Sequence, residues 1–234
     1  MRKYYSEMVA SIKQIAPKEA NQWVGEKYLG TTHKYLGVGT LPKRKLAKDW
    51  KKLHTDITYE EYIKLLDLLY KGNTYEEKTV SSELLNLYPD HRHKLDLNKI
   101  YEWLGELNGW AELDILCQGS FSAEEVLERW SEWKKFLIKL NKDKDIRRRR
   151  ASLVLLCKSV RGSDDIRLSE LAFKNIKNVQ NEKDILITKA VSWLLRNLIK
   201  YHKKEVEDYL KENEDKLPKI ALRETRRKLL TGRK

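Results

Sequence analysis

The chain has 234 residues, with 48 Lys and Arg against 35 Asp and Glu, for a formal net charge of +13. That length builds a sizeable core, in one large or elongated domain or in two small ones. No run of about 18 apolar residues occurs, and "MRKYYSEMVASIKQIAP" lacks the continuous apolar segment of a secretion signal. The expectation is a soluble, non-secreted, cytoplasmic protein without a membrane span. The charge is uneven: residues 1–117 carry 18 basic and 17 acidic groups, whereas residues 118–234 carry 30 and 18. Such asymmetry points to a polyanion, because each phosphate neutralised by Lys or Arg releases counterions. DNA, RNA, an anionic membrane and a merely soluble basic surface all fit this feature. Cys117 and Cys157 sit in apolar helical contexts, which predicts two buried thiols rather than a disulfide or a metal pair.

Along the chain, apolar residues recur at steps of three and four, with no long alternating segment bounded by hairpin turns, so the reading is all-α. Gly30 is the first helix stop. "YLGVGTLPK" contains Gly37 and Gly39 but no Gly-Lys-Ser/Thr, which argues against a nucleotide loop. Thr58 with Glu61, Thr74 with Glu77 and Ser122 with Glu125 have the spacing of capping boxes; Gly72-Asn73 and Gly162-Ser163 read as stops. Helix pairs are expected to begin near residues 41, 74, 109, 145 and 183, a period in the range of stacked helical repeats. An α-solenoid of HEAT type is therefore preferred to an irregular bundle. His91 and His93 fall in an expected loop with no Cys to complete a ligand set, so no metal site is predicted.

Two segments place charge where the pattern asks for apolar residues. In "NGWAELDILCQGSF", Trp110, Leu113, Asp114 and Cys117 follow the i, i+3, i+4, i+7 rule, so a carboxylate and an indole share the face expected to be buried. In "DIRRRRASLVLLCKSV", the stripe runs through Ile146, Leu153, Val154 and Cys157, and Arg150 lies on it while Arg147, Arg148 and Arg149 point elsewhere. A charge on such a face is costly unless paired. One reading is a structural Asp114–Arg150 salt bridge with Trp110 as ordinary core. The other is a site for a cationic substrate, in which an indole face attracts positive charge and a carboxylate stabilises a developing cation or orients a water. Farther on, "ITKAVSWLLRNLIKYHKKEVEDYL" is apolar around much of its circumference and sets Trp193 three residues before Arg196, an indole and a phosphate-binding guanidinium. No lysine stands out as desolvated, which disfavours Schiff-base chemistry.

In order, "YLGTTHKYLGV" with "LPKRKLAKDW", "TYEEKTVSSELLNLY", "NGWAELDIL", "RRRRASLVLL", "KAVSWLLRNLIKY" and "LPKIALRETRRKLL" resemble the AlkD family of DNA alkylation repair glycosylases. The resemblance covers most of the chain and implies a single domain over residues 1–234. The implied fold is a right-handed α-solenoid of HEAT-like helix pairs with a concave basic DNA-binding groove. Asp114 matches the family's catalytic aspartate, Trp110 the aromatic four residues before it and Trp193 the second tryptophan. Arg150 matches the family arginine, Tyr28 the N-terminal aromatic and Arg196 an arginine beside the second tryptophan. Arg149 is grouped with these as a candidate DNA contact.

What the resemblance implies is hydrolysis of the N-glycosidic bond of N3-methyladenine and N7-methylguanine in double-stranded DNA, by a monomer with no cofactor. Two other readings stand beside it. One is a non-catalytic relative that binds branched or distorted DNA; the other is a HEAT-type protein–protein scaffold.

Overall fold

The computed structural model describes residues 2–233, and among these the sole strand-like pairing is an isolated bridge between Lys34 and Thr74. Everything else that is regular is helical. The chain divides into two units, Met1–Ser120 and Phe121–Lys234. Residues 118–120 carry no charge, so the division coincides with the charge asymmetry: net +1 in the first unit and +12 in the second.

The first unit comprises α1 (Arg2–Gln14), a π-helical segment (Val24–Leu29), α2 (Thr40–Leu53), α3 (Tyr59–Lys71), α4 (Tyr75–Leu87), the short α5 (Pro89–His93), α6 (Leu97–Gly105) and α7 (Trp110–Gly119). α4 is its centre, packed against α2, α3 and α7. The capping boxes at Thr58 and Thr74 form as the spacing requires, each hydroxyl accepting from the amide three residues on. Gly72 ends α3, and a side chain there would collide with the Glu77 carboxylate that caps α4.

The second unit comprises α8 (Ala123–Glu128), α9 (Trp130–Asn141), α10 (Ile146–Gly162), α11 (Ile166–Val179), α12 (Ile185–Leu198), α13 (Lys203–Glu212) and α14 (Lys219–Thr231). α12 packs between α10 and α14, and α10 also contacts α9 and α11. Asp145, Asp165 and Asp184 cap α10, α11 and α12, each carboxylate accepting an amide of the first turn. Ser122 completes the third capping box at α8.

The all-α class holds, and so does the repeat. α2, α4, α7, α10 and α12 begin at residues 40, 75, 110, 146 and 185, each within two residues of the start expected from the sequence. Within each unit these are the helices that pack on one another, as in the helix-pair repeat of an α-solenoid. His91 and His93 lie on the short α5 instead of in a loop, because Pro89 supplies a preset first helical turn.

Candidate functional site

In the first unit the site is built on two close backbone approaches. Gly30 ends the π-helical segment in the left-handed region, at φ 67°. A Cβ at this position would lie 2.9 Å from Cδ1 of Trp110, and one at Gly109, the N-cap of α7, would lie 2.9 Å from the Leu29 carbonyl oxygen. Glycine at both places lets the segment dock on the first turn of α7. Tyr28 and Trp110 meet edge to face as a result, with ring centroids 6.4 Å apart. Both rings remain open to solvent, Tyr28 at 63% and Trp110 at 37%. Asp114 follows one turn after Trp110 and is half-buried.

The expected buried face of α7 is thus corrected in part. Leu113 and Cys117 are buried, but they share the buried arc with Glu112 and Leu116. At about 100° per residue, that arc leaves positions 110 and 114 on its border. The indole and the carboxylate flank the core instead of entering it.

The acid that does enter the core is Glu112, which the sequence reading passed over. It is 1% exposed and accepts hydrogen bonds from the Thr31 hydroxyl, from Nδ1 of His33 (2.9 Å) and from the Asn108 amide (2.9 Å). Asn108 Nδ2 in turn donates to Thr32 Oγ1 at 2.9 Å. Burial pushes the Glu112 carboxyl up, but the bonds from His33, Thr31 and Asn108 outweigh it and hold the group below the usual glutamate value. Glu112 therefore fastens residues 31–33 to the start of α7 and sets the distance between Tyr28 and Trp110. A Gly-x-x-Glu pattern ahead of the apolar run was the available signal; a glycine N-cap hides it.

In the second unit, only one of the four consecutive arginines is buried. Arg150 is 5% exposed and donates from Nη1 to the Leu186 carbonyl in the first turn of α12. Arg147 folds back on Asp145 at 2.7 Å, and Arg148 lies 3.5 Å from Asp143. Arg149 makes two 2.9 Å bonds to Glu182 and also donates to the carbonyls of Asp143 and Lys144. Trp193, two turns beyond Leu186 on α12, is half-buried. Arg196 donates to the Ser192 carbonyl and lies 3.3 Å from Glu224 on α14, which also accepts from the Ser192 hydroxyl. The structure thus joins Tyr28 to Trp110 in one unit and Arg150 to the helix bearing Trp193 and Arg196 in the other.

A family model for DNA alkylation repair enzymes matches residues 12–229, a span that covers most of both units. The chain belongs to the DNA alkylation repair enzyme family. A solved structure described as a predicted DNA alkylation repair enzyme from Enterococcus faecalis is similar, with a TM-score of 0.73 over 88% of this chain and 93% of that one. At 18% identity this is a likeness of fold. No curated protein matches the sequence. Family membership gives the chain a role in DNA alkylation repair and a polyanionic partner, DNA.

Among the described residues, no helix is long and apolar enough to cross a membrane, and no group of three or more His, Cys, Asp or Glu is placed to hold a metal. His91 Nε2 donates to the Ile57 carbonyl at 2.9 Å, and its ring stacks on Tyr88. The expectation that no lysine is desolvated is overturned by two residues. Lys43 is 3% exposed, bonded to Thr79 at 2.9 Å and set 4.4 Å from the Tyr75 ring centroid; burial pushes its ammonium down to about 8. Lys78 is 2% exposed and donates to the Tyr70 carbonyl. Lys78 lies on α4, most of whose polar residues face inward, and Lys43 turns toward α4 from an otherwise exposed charged row on α2, a placement that periodicity alone does not reveal.

Proposed function

We propose that this repair protein is a monofunctional glycosylase. It hydrolyses the N-glycosidic bond of cationic alkylpurines, N3-methyladenine and N7-methylguanine, in duplex DNA and leaves an abasic site. The observation that carries the reading is the position of Asp114: a carboxylate at the border of the core, one turn from an exposed indole. A purely structural aspartate has no need of that aromatic neighbour.

Alkylation makes the base a cationic leaving group, so the C1′–N bond is weak before the enzyme acts. When it breaks, the bonding pair leaves with the base, which becomes neutral, and the sugar becomes oxocarbenium-like. Asp114 stabilises that charge and takes a proton from the attacking water as the new C1′–O bond forms. Trp110 and Trp193 attract the cationic lesion through their π-faces, each contributing about 1 kcal/mol. Tyr28 backs Trp110 edge-on. Arg150 holds a phosphate near the lesion, while Arg149 and Arg196 add positive field to the backbone from within their pairs with Glu182 and Glu224. Water as nucleophile agrees with the two desolvated lysines, since both Nζ atoms are buried and committed to neighbours. The protein acts as a monomer, in the cytoplasm, on duplex DNA.

The test is release of free methylpurine from methylated duplex, comparing wild type with Asp114→Asn at equal DNA occupancy. Release by the wild type that falls by at least about 100-fold in the variant is the expected result. Binding without release by either protein would replace this reading with that of a non-catalytic DNA-structure binder. Absence of salt-sensitive duplex binding would leave the scaffold reading.

A further inference from the structure

Positive charge in the first unit is concentrated on one helix. α2 holds Lys43, Arg44, Lys45, Lys48, Lys51 and Lys52 against a single acid, Asp49, in a unit whose total is +1. Lys43 is buried, Lys45 pairs with Asp49, and Lys52 lies 3.5 Å from the same carboxylate. Arg44 and Lys48, one turn apart, remain on an exposed face. Both line a cavity of about 450 Å³ whose other walls include Glu83, Asn86 and Leu87 from α4 and Ile115, Gln118 and Gly119 from α7.

This cavity continues the candidate site. Gln118 stands four residues after Asp114 and eight after Trp110, on the same face of α7 and about 6 Å farther along its axis than Asp114. Space on this side is open, for a Cβ added at Gly119 would meet nothing within 4 Å. The one carboxylate in the wall, Glu83, accepts from Arg44 Nε at 3.0 Å, which fixes the guanidinium against α4 while the Arg44 side chain stays 56% exposed. Asn86 and Gln118 add amides, side chains that share phosphate contacts with Arg and Lys in DNA complexes. Two cations and two amides at the rim of a hollow floored in part by Leu87 and Ile115 suit a phosphodiester, whose charged oxygens meet the cations while its sugar covers the apolar floor.

We propose that this cavity is a DNA backbone subsite of the first unit, in which Arg44 and Lys48 bind phosphates next to the nucleotide that faces Asp114. The assignment deepens the glycosylase reading and rests on it for the position of the lesion. Its consequence is that the nearly neutral unit contributes its own grip on DNA.

The test is duplex affinity by fluorescence anisotropy between about 50 and 200 mM salt, which needs no catalysis. In Arg44→Gln/Lys48→Gln, the slope of log K against log salt is expected to become shallower by about 2, since each phosphate neutralised contributes about 0.9. Affinity at about 0.1 M salt falls roughly tenfold or more. Arg44→Lys/Lys48→Arg keeps the wild-type slope. A folded double Gln variant, checked by circular dichroism, that retains the wild-type slope overturns the proposal. So does inorganic phosphate that raises the melting temperature through these residues while the duplex slope is unchanged, which would make the cavity a small-anion site. Wild type that binds duplex with this slope but releases no methylpurine keeps the subsite and removes the glycosylase reading, so the two fail separately.

Discussion

The two units treat charge in opposite ways. The first, almost neutral, puts six of its acidic and basic side chains inside: Lys43, Glu76, Glu77, Lys78, Arg92 and Glu112 are all buried there. The second carries nearly all the net charge, and among its described residues Arg150 is the one buried Lys, Arg, Asp or Glu. Net charge therefore says where a polyanion is attracted, not where the structurally costly charges lie. Buried ions are tolerated only when fully bonded, and those of the first unit are organised around α4. Glu76 accepts the amides of Leu36 (2.9 Å) and Val38 (3.2 Å), and Glu77 accepts the Tyr5 hydroxyl at 2.7 Å. These acids are clasps that hold the N-terminal segments onto the helices, and Glu112 does the same at the candidate site.

The sharpest way to break the contrast is to remove a clasp. Glu112→Ala leaves Thr31, His33 and Asn108 without their acceptor and is expected to destabilise the protein by about 4 kcal/mol in urea unfolding. The same residue predicts an acid limit. Its carboxyl is held below the usual value of 4.5, so its contribution is complete above that pH and is lost as pH falls through the lower folded value. Glu112→Gln should flatten that part of the stability profile, and an unchanged acid slope would count against the network.

Lys43 works with the opposite sign. Its folded value of about 8 lies below the ordinary 10.5, so the folded state pays a protonation penalty below pH 8 that disappears as pH rises to 10.5. Relative to Lys43→Met, the wild type is expected to gain about 3 kcal/mol across that interval, read as the difference between two unfolding series. A smaller effect, about 1–2 kcal/mol, is expected for Gly30→Ala, which strains the left-handed turn and pushes on Trp110. Melting temperature and tryptophan emission should both move; a change in neither would mean that the approach to the indole is not tight.

The second unit supplies the smallest effect. Arg167 is exposed and folds back on its own N-cap, Asp165, at 2.6 Å. Arg167→Ala is expected to leave the melting temperature unchanged within error, because exposed pairs are screened and entropically costly. A large loss there would erase the distinction between the units.

Much of this was legible in the sequence. Helix starts were readable where the caps are chemically explicit: Thr58, Thr74 and Ser122 are residues that accept an amide and open α3, α4 and α8, whereas the repeat starts at α2 and α7 have glycine caps and were placed by apolar spacing. Arg150 was readable because one cation interrupted an otherwise apolar stripe. Glu112 was not, since an acid in the first turn of a helix is ordinary on dipole grounds and its partners Thr31 and His33 lie some 80 residues away. Lys43 and Lys78 escaped for a related reason: a lysine on a charged-looking helix reads as solvated until the neighbouring helices are in place. The border position of Trp110 and Asp114 needed the packing of α4 against α7, which shifts the buried arc by a fraction of a turn.

Cys117, three residues beyond Asp114, and Cys157 are 0% and 1% exposed. A protein whose family repairs alkylated DNA meets the electrophiles that cause the damage, and thiols are the strongest nucleophiles a chain can offer them. Here both thiols are shut within helices, so neither cysteine is offered to such an electrophile at the surface. Burial thereby slows alkylation of the two most reactive side chains of the chain by the kind of agent whose products the family handles.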